Sequence, residues 1–142
     1  MPYKYIEDVA IADLAIEVSA DSVSALFEDA GMALANAMAN PKTVEPKTKQ
    51  LIELESDKID SLLFDFLSEF ITLKDADSFL VNSLSVSVTQ NAGKWKVSCV
   101  AEGEAIDRKR HELRNDVKAV TFHMFKVEQV GKQWNAFVVV DI

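Results

Sequence analysis

Residues 12–41 read ADLAIEVSADSVSALFEDAGMALANAMANP, and the spacing of the apolar positions changes partway through. Leu14, Ile16 and Val18 alternate with Asp13 and Glu17, the two-residue repeat of a strand with one wet face. From Val23 the repeat lengthens, and Leu26, Phe27, Ala30, Leu34 and Met38 fall at helical spacing. Asp21 or Ser22 is placed to cap that helix, and Pro41 stops it. Gly31 costs the helix stability and marks a place where another element packs close.

The same strand-then-helix order recurs downstream. TKQLIELE, residues 48–55, puts Leu51 and Glu53 on one face and Ile52 and Leu54 on the other. Ser56 or Asp57 is placed to cap a second helix. Its stripe of Ile59, Leu62, Leu63, Phe66, Leu67, Phe70 and Ile71 is wide enough to lie on a sheet. Beyond it the chain is mostly strand. Leu84, Val86 and Val88 alternate, and Asn91-Ala92-Gly93 turns the chain into Trp95, Val97 and Cys99. A polar loop, EGEAIDRKRHELRND, follows, then VKAVTFHMFKVEQV, a Gly131-Lys132 turn and WNAFVVVDI. The pattern predicts a two-layer α+β fold over 1–142, a single domain with two amphipathic helices packed on a largely antiparallel β-sheet.

Bulk properties narrow the function. The chain has 142 residues, enough to bury roughly 68–70% of its unfolded surface without staples. No apolar run approaches the ~18 residues of a membrane helix. The opening MPYKYIEDVA has no basic stretch leading into an apolar one, so no secretory signal is expected. Cys99 has no partner for an internal disulfide, which fits a reducing cytoplasm. Fifteen Lys and Arg against 23 Asp and Glu give a net charge of −8. Such a surface repels phosphate backbones, so strong direct nucleic-acid binding is not expected. Divalent cations and basic protein surfaces are the better partners.

Few residues suggest chemistry. VVVDI reads as a strand running to the end of the sequence, which would hold the Asp141 side chain beside the carboxylate of Ile142. Two negative groups that close call for a cation or abundant water. A third carboxylate, such as Asp13, would make an oxygen-rich site for Ca²⁺ or Mg²⁺. On residue types alone, all three also read as solvated strand-end charges. His111 and His123 lack HxxxH or HExxH spacing, which disfavours zinc. Each has an ordinary structural reading, His111 as a loop anchor and His123 as an exposed strand residue. Lys118, within VKAV, is a solvated lysine or a contact for phosphate or a partner's carboxylate. Cys99 reads as a buried small hydrophobe, and the DRKRHE run as a solvated loop. No Gly-rich phosphate loop or nucleophile elbow is present.

Three motifs together resemble the archease family. They are IADLAIEV from Ile11 to Val18, GEAIDRKRHELRNDVKAVTFH from Gly103 to His123, and the run from Trp134 to Ile142 ending in Asp-Ile. The helix LLFDFLSEFITLKD resembles the family's second helix. Departures are Ala10-Ile11 where the family has His-Thr, Ala15 for a frequent Gly, Arg114 for a common Gly, and Asp116 for Glu. The resemblance implies an accessory protein of the GTP-dependent tRNA-splicing RNA ligase, not an enzyme, that promotes guanylylation and turnover of the ligase. It implies a divalent metal, Ca²⁺ foremost with Mg²⁺ or Mn²⁺ as substitutes, held by Asp13, Asp141 and Ile142. Lys118, His111 and His123 become candidate contacts to a partner or nucleotide. A chaperone-like modulator of a tRNA methyltransferase and a metal-dependent hydrolase are the alternative readings.

Overall fold

The computed structural model describes residues 3–6 and 13–142. Seven strands and two helices follow the order β1 (Tyr3–Ile6), β2 (Asp13–Ala20), α1 (Val23–Met38), β3 (Thr48–Ser56), α2 (Ile59–Asp77), β4 (Phe79–Asn91), β5 (Lys94–Ala105), β6 (Ala119–Val130) and β7 (Gln133–Asp141). The first two residues of the opening motif, Ile11 and Ala12, and the Ala10-Ile11 departure lie outside the described residues.

The architecture is the expected α+β one, with every strand pairing antiparallel. The strands divide into two sheets, one of order β1-β2-β7-β6 and one of order β3-β5-β4. Each helix touches both sheets. α1 lies against β4 and also against β2 and β7, while α2 lies against β3, β4 and β5 and also against β6. That position explains why α1 is buried around most of its circumference and is rich in alanine. Phe27, Phe66 and Phe70 interlock the two helices, and Trp95 meets Trp134 edge to face at 6.0 Å between the sheets.

Local signals mostly act as predicted. Ser22 caps α1, its hydroxyl accepting from the Ala25 amide. A Cβ on Gly31 would come within 2.6 Å of Leu84 Cδ1 and close to Phe66 and Phe70, the tight approach that the glycine foretold. At α2 the cap position is Lys58, with no side-chain cap bond, not Ser56 or Asp57. The Ser56 hydroxyl instead accepts from the Lys58 amide and bends the chain before the helix begins. The β4–β5 hairpin turns on Ala92 and Gly93, both at positive φ, as a two-residue turn of the primed type requires. β1 had no assignment from sequence. It is a short edge strand whose Tyr5 hydroxyl donates to the Ala33 carbonyl of α1. No described helix is long and apolar enough to cross a membrane.

Candidate functional site

β2 begins at Asp13 and β7 ends at Asp141, and the register sets these two residues directly opposite each other. Directly paired residues of antiparallel strands project to one face, their Cβ atoms about 4.5–5.5 Å apart. Like charges there repel. The next pair inboard on the same face, Ala15 and Val139, is fully buried. The half-exposed acid pair therefore borders buried apolar surface.

β7 is an inner strand of its sheet, with β6 on its other side, so Ala119 also lies opposite Asp141. The Lys118 amide donates to the Asp141 carbonyl at 2.8 Å. Asp13, Asp141, Ile142 and Lys118 thus share one end of the larger sheet. Ile142 is half-buried and packs on the core, while Lys118 is exposed. The side-chain donors of the acid pair are carboxylate oxygens, which suits a hard cation and not zinc or copper. Among the described residues no group of three or more His, Cys, Asp or Glu is placed to hold a metal. Among the described residues, main-chain oxygens, the Ile142 carboxylate and water are left to complete coordination around the two carboxylates.

The histidines lie elsewhere. The His111 side chain is fully buried. Its Nδ1 accepts from the Asp107 amide at 2.9 Å, which leaves Nε2 to carry the proton and donate to Glu104 at 3.0 Å. Glu104 also takes both arms of the Arg110 guanidinium and the Glu45 amide. Arg110, then His111 and the Glu45 amide, hold the Glu104 carboxyl well below the usual carboxylate range against the opposing effect of burial. The polar stretch is therefore no uniform solvated loop. Glu102 to Ala105 complete β5, and Glu104 and His111 are buried at its root. His111 is spent on anchoring the loop, with no side-chain surface left for a partner or nucleotide. His123 is exposed on β6, between Phe122 and Met124.

Sequence reasoning missed two features. Buried Glu104 follows Gly103, where a Cβ would meet the Leu80 carbonyl oxygen at 1.8 Å, beside the β4 register break between Val81 and Ser83. The Gly-Glu step itself is the only signal of it. Lys74 near the end of α2 bonds Asp116 and the Val117 carbonyl, tying the helix to the segment that leads into Lys118. Burial alone would lower the Lys74 pKa, but the bonds to Asp116 and Asp75 outweigh it and raise the value.

These features define a small acidic α+β scaffold with a loop clamped to its sheet and a carboxylate pair where its first and last long strands meet. The chain belongs to the archease protein family, whose pattern matches residues 3–142. Protein archease of Methanopyrus kandleri is 37% identical over 142 residues, the whole of both chains. That of Pyrococcus furiosus is 33% identical over 132 residues, 92% of this chain and 93% of the relative. The solution structure of a Methanobacterium thermoautotrophicum protein superposes with a TM-score of 0.84 at 27% identity, over 99% of both chains. A Thermotoga maritima crystal structure, described as an archease and possible chaperone, has a TM-score of 0.63 at 20% identity over 94% of this chain and 93% of its own. That last likeness concerns fold alone.

Proposed function

We propose that this protein activates a GTP-dependent tRNA-splicing RNA ligase by promoting guanylylation and turnover of the ligase, with a divalent cation held by Asp13, Asp141 and Ile142. The carrying observation is the in-register pairing of Asp13 with Asp141 beside Lys118. Two carboxylates set directly opposite each other repel, and Ca²⁺, Mg²⁺ or Mn²⁺ would neutralise that charge. Bound there, the cation supplies positive charge near an anionic nucleotide. Lys118, exposed at the same sheet end, adds a cation for nucleotide phosphate or a ligase carboxylate. The net charge of −8 suits docking on the basic surface that an RNA-binding enzyme carries.

The test adds the protein, below the ligase concentration, to cognate ligase with GTP and an RNA ending in a 2′,3′-cyclic phosphate. Multiple turnover is the expected result, lost with Asp141→Ala and strongly reduced with Lys118→Ala. Ligase turnover that does not respond to the wild-type protein would sink the proposal.

A further inference from the structure

Between Thr121 and Lys126 the β6 strand carries four residues, Phe122 to Phe125, where β7 carries one, Val138. Met124 within this bulge has φ +55°, a conformation a methionine adopts only under constraint. The bulge pushes apolar side chains outward. Phe122 is 77% exposed and Met124 56% exposed. Phe122 is nevertheless held in place, because its ring stacks on Phe64 of α2 at 4.1 Å between centroids with the planes 1° apart. One face of the ring is fixed and the other is open.

The bulge stands between two recesses. Met124 and Phe125 line a groove of about 700 Å³ with Glu17, Ser19, Glu128 and Phe137. On the other side, Phe122 and Phe125 border a smaller recess with Phe64 and Asp60. The groove runs along the face of the larger sheet that also carries Asp13 and Asp141, since Glu17 and Phe137 are paired at the same strand parity. Its rim is acidic. Glu17, Glu128 and Asp60 outnumber two bases, Lys4, which pairs with Glu17 at 3.4 Å, and Lys126, which pairs with Glu128 at 3.2 Å.

We infer that this bulge is the anchor by which the protein docks on a basic protein surface, with Phe122 and Met124 entering apolar recesses and the acidic rim meeting Lys or Arg. Aromatic and methionine side chains surrounded by polar groups are the composition of binding hot spots. A ring already stacked on one side gives up little freedom when its other side is covered. The acid excess of the chain, −8 overall and kept at this rim, argues against a nucleic-acid strand stacking on Phe122, since phosphates would be repelled. It favours a cationic partner, and the shared face with Asp13 and Asp141 makes docking here continuous with the metal end. The inference rests on the reading that the partner is the RNA ligase.

The experiment measures affinity of the immobilised cognate ligase for the full chain by surface plasmon resonance. Phe122→Ala should weaken binding at least about tenfold, and Met124→Ser about threefold. Leu51→Ser, which removes an exposed apolar side chain of the other sheet, should leave affinity unchanged. Melting temperatures recorded for each variant separate lost contact from lost fold. Wild type that binds while Phe122→Ala and Met124→Ser bind equally well overturns the docking inference alone. Wild type that does not bind the ligase overturns the functional reading and this inference with it. A wild-type dimer in sedimentation equilibrium that Phe122→Ala dissolves would give the face to a second copy and also overturn the inference.

Discussion

Glu104 is the residue on which the long loop turns. The residue is 5% exposed, and its carboxylate receives Arg110, His111 and the Glu45 amide. Because its folded pKa lies below the ordinary 4.5, its contribution to stability is present above that pH and fades as the pH falls below it. Urea midpoints measured from neutral pH downward should therefore drop for the wild type below about 4.5, and Glu104→Gln should start lower and show a shallower drop. His111→Ala removes a buried partner of a charged group and should cost about 2 kcal/mol, read from the same unfolding curves. Cys99 behaves differently. Burial first, then the Glu28 charge, pushes its thiol up to about 11, so the native protein should resist thiol reagents at neutral pH and react on unfolding. The cysteine's character was legible from its place in an alternating strand. The Glu104 cluster was not, because charge runs usually mark solvated loops and only the fold shows that β5 carries Glu104 inward.

At the scale of elements, two positions have opposite headroom. A Cβ at Gly103 would lie 1.8 Å from a main-chain oxygen, which cannot swing aside. Gly103→Ala should cost several kcal/mol, on the order of 4, and detach the end of β5 from β4. Ala92 sits in the β4–β5 turn at φ +53°, where a side chain with Cβ is strained. Ala92→Asn, suited to the first position of such a turn, should stabilise by roughly 0.5–1 kcal/mol. Thermal unfolding of both variants checks the pair. Periodicity was enough to find both helices and six of the seven strands, since each carries its own alternation. It did not reveal that the strands divide into two sheets, because strand partners depend on which surfaces the helices occupy. It also passed over β1, four residues too short to establish a period.

Across the whole molecule, β2 from the start of the chain pairs with β7 from its end over eight residue pairs. Asp13 and Asp141 close that ladder, so whatever acts on them acts on the joint between the two ends of the sequence. From residue types Asp13 was one candidate to join Asp141, equally readable as a solvated charge, and the family resemblance singled it out, since no local pattern links positions so far apart. In the metal-free protein the two carboxylates repel, and Asp141→Asn should raise its melting temperature slightly. A cation on the proposed site would bind the folded state alone, because unfolding separates the two strands. Ca²⁺ at about a hundredfold excess over its dissociation constant should then add about 2.7 kcal/mol. For a chain of this length that corresponds to a rise in melting temperature of roughly 8 °C. Asp13→Asn and Asp141→Asn should each abolish most of the rise, whereas Glu17→Gln, four residues along the same strand and on the same face, should keep it. A scan over calcium concentration by differential scanning fluorimetry separates the outcomes. A rise that survives both aspartate variants would mean that the ion acts elsewhere on the acidic surface, and the strand-end pair would then be a solvated repulsion and no metal site.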